Sequence, residues 1–586
     1  MRFRSRREFL QLSLASVSRA ILGPAVEASA VQLGPPTGPP PKPSPGPSRP
    51  SLPLPILERY VDPLRVPRRL RPVRSGKEGD EYVIRLLEFS RRLHSQLPPT
   101  RLWGFDGEYP GPTFDVWRGR PVVAEWQNHL PTRHLFVVDP HIHGAMPPSP
   151  AVRTVTHLHG ARTPSFSDGL PENWITPGQS VRYVYPNGQQ SATLWYHDHA
   201  LGITRLNVYA GLSGFYLLRD EQERALNLPG GDYEIPLVVQ DRTVDTQGQL
   251  VYAPTFEDAV PLPPGVWGSE FFGEFPVVNG SIFPYLEVEP RPYRFRVLNG
   301  CNARYVRLFL NLAKLTTDIP HLVKFHQIGS DGGLLPAPVG MEKLLLGPAE
   351  RADLIVDFSG LEGKTVTLAN DAAAPFPGWS SMMVPHTMLH EFMQFRVTRP
   401  LKGAKTVFEL PPAQPVPPPG DSPSIPVRDF YLSERFDAQG RSLGLRINNK
   451  GYDDPVTENV RLGSVEKWRF INTTDDAHPM HLHLVQFRIL ERQGYDTGTM
   501  LSSGKLQLVG MVRAPEPNEV GRKDTAVVYP GEVLTILVHF EGYTGRYVFH
   551  CHMLEHEDND MMRPYVVLPA ETAPSAENKT SGAKNA

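Results

Sequence analysis

Short apolar runs separated by turn-forming residues recur along most of the chain, as in ADLIVDF (352–358) and VLTILVHF (533–540). Runs of this length suit strands covered on one or both faces rather than helices with a buried stripe. Three further stretches alternate aromatic and charged residues and end in asparagine: VVAEWQN (122–128), YRFRVLN (293–299) and EKWRFIN (466–472). A period of two means a strand with one buried face. A second echo joins the outer two copies. VYPNGQQSATLWYHDHALG (184–202) and VYPGEVLTILVHFEGYTGRYVFHCHMLEH (528–556) both run from a turn into an aromatic strand ending in His-x-His. The pattern predicts three copies of one β-sandwich. The middle copy has no such pair, since its histidines at 321, 326, 386 and 390 stand singly.

Composition sharpens this reading. A chain of 586 residues exceeds one core, and 63 prolines and 49 glycines punctuate many short strands. A formal net charge of -2 gives no basic surface for nucleic acid. No stretch beyond the N-terminus reaches the about 18 apolar residues of a membrane span. SRREFLQ (5–11), a moderately apolar run and Ala28-Ser29-Ala30 match a twin-arginine export leader cut after Ala30. The expected organisation is a signal peptide (1–30), a proline-rich tether (31–56), sandwiches at 57–229, 230–400 and 429–568, a proline-rich link (401–428) and a disordered tail (569–586).

The chemistry lies in the histidines. Ten of twenty fall into HLHG (157–160), HDH (197–199), HPMHLH (478–483) and HCHMLEH (550–556). In a strand, residues i and i+2 share a face and i+1 points away. His550 and His552 therefore project opposite to Cys551, so one strand serves two metal sites. On the cysteine side stand Cys551 and His478, joined by His556 and Met561 from the turn that follows. Two imidazoles, a thiolate and a weak thioether form a blue-copper electron-transfer set. Met561 also reads as a core filler, and Met562 competes with it for register. On the other side gather His157, His159, His197, His199, His481, His483, His550 and His552, enough for about three ions. Structural zinc sites prefer paired cysteines, and none is present, which favours copper.

On these residues the chain resembles the three-domain multicopper oxidases, bacterial laccases of the spore-coat laccase and bilirubin oxidase type. YPGPTFDV (109–116), GSDGGLL (329–335), LGPAERADLIVDF (346–358), HPMHLHLVQF and HCHMLEHEDNDMMRP (550–564) add to the match, which spans about residues 57 to 568. The resemblance implies an all-β fold of three cupredoxin-like Greek-key β-sandwich domains and four copper ions. It assigns His478, Cys551, His556 and Met561 to type 1 copper and His157 and His481 to type 2. The type 3 pair takes His159, His197, His199, His483, His550 and His552. It further implies one-electron oxidation of phenols, aromatic amines or bilirubin-like pigments, coupled to four-electron reduction of dioxygen to water. Electrons come in at His556, the type 1 histidine nearest solvent. Asp168, otherwise an Asp-Gly turn, and Glu557, otherwise a solvated loop charge, match proton-handling positions.

With Cys551 a ligand, Cys301 is a buried apolar residue and no disulfide forms. Spore-coat laccases lack an export signal, so the leader points to the periplasm, cell envelope or exterior. The expected partners are a small aromatic reductant, dioxygen and the twin-arginine machinery, with the chain a monomer. One alternative is a cuprous oxidase, with methionines at 382, 383, 388 and 393. Another is a non-catalytic envelope scaffold, although all twelve ligand positions are filled.

Overall fold

The computed structural model describes residues 53–252, 270–312, 322–377, 388–403, 409–413, 424–437 and 442–570. The leader, part of the tether, much of the link, nearly all of the tail, His321, His386, Met382 and Met383 lie outside the described residues.

Each alternating stretch forms the middle strand of a sheet. Val122–Asn128, Pro292–Asn299 and Val465–Asn472 pair in parallel with the strands Gly79–Arg91, Glu234–Arg242 and Val427–Phe436. On their other side they pair antiparallel with Ser180–Tyr185, Arg351–Asp357 and Glu532–His539. The closing asparagines repeat as well. Asn128, Asn299 and Asn472 are buried, and each Oδ1 accepts from the backbone N–H two residues on, at Leu130, Cys301 and Thr474. The amide thus turns the chain where the strand stops, as short polar side chains do in Asx turns.

Three sandwiches result. The first has sheets of five and four strands, the second of seven and six, and the third of six and five. Each encloses its own apolar core. In the third, Trp468 packs against Phe430 and Phe549 at ring-centroid distances of 4.6 and 5.2 Å. The middle copy departs from the half-exposed pattern, because Pro292–Asn299 is buried at every residue after the first. Arg294 and Arg296 face the first sandwich rather than water. They meet Glu223, Glu234 and Asp353 in a buried ion network, with Arg294 Nη1 2.6 Å from Glu223 and Arg296 Nη2 2.8 Å from Glu234. Charges are buried only when paired in this way.

The histidine-bearing strands lie where the first and third sandwiches meet. Thr156–His159 is the edge of the four-stranded sheet, beside Ala192–Asp198, with His157 opposite His197. His478–Leu482 and Gly545–Cys551 are neighbours in the five-stranded sheet, with His481 opposite His550. A five-residue helix, Leu554–Asp558, stands where the sequence suggests a turn. Its Asp558 accepts from the N–H groups of Thr204 and Arg205, both at 3.0 Å, at the start of the helix Thr204–Ala210. A carboxylate there satisfies donors that have no partner within the helix. No helix among the described residues is long and apolar enough to cross a membrane.

A second tie joins the same two sandwiches. His143 places Nδ1 2.8 Å from Asp560 and Nε2 2.8 Å from Asp453. The hydrogen bond to Asp560 is the main cause of a rise in its pKa to about 9, against the opposing effect of burial. A pKa raised on folding gives stability that is complete below the unfolded value, roughly 6.5, and lost as pH climbs through about 9. The Tm difference between the protein and His143→Gln should therefore be largest near pH 6 and vanish by pH 10. An equal difference at both ends of that range would reject the clamp.

Candidate metal centres

Alternation along Gly545–Cys551 separates two sets of side chains. On one face, Cys551 Sγ lies 3.5 Å from Nδ1 of His478 and 3.7 Å from Nδ1 of His556, with the two nitrogens 3.2 Å apart. All three residues are buried. Thr474 Oγ1, 2.6 Å from Nε2 of His478, holds that ring with Nδ1 inward. Met561 shares the core cluster of Cys551, whereas Met562 packs with Leu170, Tyr452 and Val548. Of the two methionines, Met561 is thus the one buried in the same core as Cys551. Its backbone reinforces this, since the N–H of Cys551 donates to Met561 O at 3.0 Å. Burial pushes the Cys551 thiol well above its ordinary range, so a thiolate here requires a bound cation.

On the opposite face all eight histidines converge, four from each outer sandwich. The Nε2 atoms of His199, His483 and His550 form a triangle with sides of 3.2, 3.2 and 3.3 Å. Its centre lies about 1.9 Å from each nitrogen, close to a metal–imidazole bond of roughly 2.0 Å. Two more groups, His159 with His197 and His552, and His157 with His159 and His481, hold their ligand atoms within 4.8 Å. Nε2 of His157, His197 and His481, Nδ1 of His159 and both nitrogens of His552 are buried without a hydrogen-bond partner. Each such group costs about 1–3 kcal/mol. Their concentration at one point fits a set of lone pairs awaiting metal. Burial, reinforced by neighbouring imidazoles, lowers the pKa of His197 to about 3 and of His199 to about 4. The pKa values of His157, His159, His481, His483 and His552 are lowered as well, again chiefly by burial. Neutral rings are what ligation needs.

Outer contacts orient the rings. Nδ1–H of His157, His197, His481 and His550 donates to the backbone oxygens of Asp168, Asp198, Asp524 and Cys551, at 2.6, 2.8, 2.8 and 3.0 Å. His483 donates from Nδ1 to Asp168 Oδ2 at 2.7 Å. Asp168 is thus both a turn residue and a buried partner of two histidines. Gly169 follows at φ +76°, where a Cβ would meet Thr156 O at 2.3 Å. Burial raises the pKa of Asp168 to about 8.

Glu557 is not a solvated loop charge, as it is 1 % exposed within the short helix. Its two oxygens lie 3.2 Å from Nδ1 of His199 and 3.2 Å from Nδ1 of His550. Burial alone would raise its pKa, but the facing imidazoles hold it well below the usual range. His556 is 1 % exposed against 0 % for His478, so it is the less deeply buried histidine of the set, within a helix whose residues are all buried.

Other histidines and methionines stay outside these sets. His141 and His143 form a further His-x-His, but their rings are engaged by Asp139, Asp453 and Asp560. In the middle sandwich His326 is half-buried and His390 exposed. Met393 lies in that sandwich's core, and Met388 is exposed. Sequence reasoning missed Thr474 and Asp524, which lie outside the His-x-His pattern.

Two family models described as multicopper oxidase match residues 422–571 and 151–223. The chain is 45% identical over 524 residues to a laccase of Bacillus stratosphericus, covering 87% of this chain and 99% of that protein. It is 44% identical to a laccase of Bacillus subtilis (strain 168), covering 87% and 98%. The crystal structure of a laccase from Pediococcus acidilactici superposes with a TM-score of 0.69 at 27% identity, covering 88% of this chain and 95% of that one.

Both cysteines are buried and unpaired. Metal-free native protein should show no fast-reacting thiol, and two after denaturation without reductant. A count of zero in denaturant would reveal a disulfide.

Proposed function

The chain belongs to the multicopper oxidase family, and within it we propose a specific assignment of copper ligands, proton carriers and substrates. It is a laccase-like oxidoreductase that uses oxygen, and its fold is all-β with three cupredoxin-like domains. In this reading, type 1 copper is held by His478, Cys551, His556 and Met561. Type 2 copper is held by His157 and His481, and the type 3 pair by His159, His197, His199, His483, His550 and His552. The observation that supports two kinds of site is the separation of Cys551 from His550 and His552 into different buried sets, while the split between type 2 and type 3 follows the family alone. When bound, copper supplies one-electron oxidation of the reductant at the thiolate set and four-electron reduction of dioxygen to water at the histidine set.

The chain's own residues fix the route between the sets. The backbone of Cys551 joins directly to His550 and His552, so the connection is covalent and its length is set by the strand. Electrons enter at His556, the less deeply buried of the two histidines of the thiolate set. Small phenols, aromatic amines and bilirubin-like pigments fit this mode, and the curated relatives reported above are laccases.

Protons are handled by the two carboxylates. Asp168, with its pKa raised by burial to about 8, can carry a proton on Oδ1 at neutral pH while Oδ2 accepts from Nδ1 of His483. Glu557, with its oxygens 3.2 Å from Nδ1 of His199 and of His550, is the second carboxylate placed to pass protons. Residues 1–30 support export of the folded monomer by the twin-arginine machinery to the periplasm, cell envelope or exterior.

Visible and spin-resonance spectra of copper-loaded protein should show a blue type 1 centre and about four copper ions per chain. Oxygen uptake should be faster with phenols than with Cu(I); the reverse order would favour a cuprous oxidase. Asp168→Asn should slow oxygen uptake by roughly 100-fold or more with the blue absorbance intact, and unchanged turnover would remove its role. Met561→Leu should raise the type 1 potential, whereas an unaltered potential would show that the sulfur is not bound.

A further inference from the structure

The middle sandwich supplies none of the proposed ligands, yet it reaches the histidine centre through one side chain. Arg351, in the segment LGPAERADLIVDF, is fully buried and touches all three sandwiches. Its Nε donates to Thr193 O of the first at 3.0 Å, and its Nη1 donates to Ala349 O of the second at 3.0 Å. Nη1 also donates to Asp524 Oδ1 of the third at 2.7 Å, and Nη2 donates to Oδ2 of the same carboxylate. Asp331, from GSDGGLL, accepts from the backbone N–H of Arg351 at 2.8 Å and pairs with Lys523 at 2.9 Å.

Asp524 then turns to the histidines. Its Oδ1 lies 3.1 Å from Nε2 of His159, and its backbone oxygen accepts from Nδ1 of His481. Thr525 Oγ1 donates to the same Oδ1 at 3.0 Å. His159 is thereby reversed relative to its neighbours. His157, His197, His481, His483 and His550 are committed outward through Nδ1. His159 is committed through Nε2, and its Nδ1 is the buried nitrogen without a partner. An ionised carboxylate only accepts, so the proton of His159 must sit on Nε2 and the lone pair on Nδ1.

The glycine of HLHG belongs to the same arrangement. Gly160 has φ +84°, and a Cβ there would lie 2.5 Å from Asp524 Oδ2 and 2.9 Å from Arg351 Nη2. The ion pair fills the space that a side chain would need.

We infer that Arg351 and Asp524 form a positioning pair that selects Nδ1 of His159 as the atom presented to metal, and that this is the middle sandwich's part in the centre. The inference rests on the copper assignment proposed above. Asp524→Ala tests it, because it removes the acceptor that holds the proton of His159 on Nε2 and so frees either ring nitrogen to carry it. Arg351→Lys tests it independently, keeping the charge but losing the two-pronged grip on the carboxylate, and serves alone if Asp524→Ala fails to fold. Full-length copper-loaded protein and both variants are challenged with a chelator. Copper per chain and the type 2 spin-resonance signal are followed, while blue absorbance reports the type 1 centre and the fold. The expected result is 10- to 100-fold weaker retention of the non-blue copper with the blue colour kept. Parent-like retention in the variants overturns the inference. So does parallel loss of blue and non-blue copper, since the pair would then only hold the sandwiches together. A parent chain that binds no copper defeats the copper assignment instead, before any variant is compared.

Discussion

In an extended chain, neighbouring side chains leave on opposite sides, and this molecule is organised around one use of that rule at His550, Cys551 and His552. Because the three are consecutive, the thiolate set and the histidine set cannot drift apart. Every other ligand candidate must come to this strand. His478, His481 and His483 do so from the adjacent strand, in register with it. The first sandwich has to bring its four histidines across an interface, and that requirement explains much of what ties the sandwiches together.

The ties are costly groups, each compensated locally. Eight imidazoles with inward lone pairs are unfavourable without a cation. Five of them are held in place by outward hydrogen bonds to backbone oxygens and to Asp168, His159 by Asp524, with Glu557 facing two of the rings. Around them lie fully buried charges: Arg351 with Asp524, Arg205 with Asp558, and Lys523 with Asp331. A buried pair adds little net stability compared with apolar packing, but removing one member leaves an uncompensated charge. Such pairs therefore specify an arrangement more than they strengthen it, which suits a site with strict geometry.

The period-two stretches were readable because one face of each strand meets a core, and the closing asparagines marked where strands stop. The exception was Pro292–Asn299, whose arginines look solvent-facing in sequence but enter a buried network that only the packing of two sandwiches creates. The histidine sets were readable because parity survives folding. Yet His141 and His143 carry the same spacing and stay out, because they lie in a loop with carboxylates at hand. Asp524 and Arg351 were not readable as partners, since 173 positions separate them and neither lies in a histidine cluster. The short helix that carries His556 and Glu557 was not readable, because the sequence suggests a turn there.

The division of the histidines between the first and third sandwiches has a bearing on biosynthesis. Domains tend to fold as units in the order in which they leave the ribosome. His157, His159, His197 and His199 can thus be fixed in place long before His481, His483, His550 and His552 have been translated. Until then a copper ion would find only half a shell on the nascent chain. The centre closes only when the strand Gly545–Cys551 and His552 beyond it have joined the sheet, so holding the full metal complement reports that the first and third sandwiches have both folded and docked.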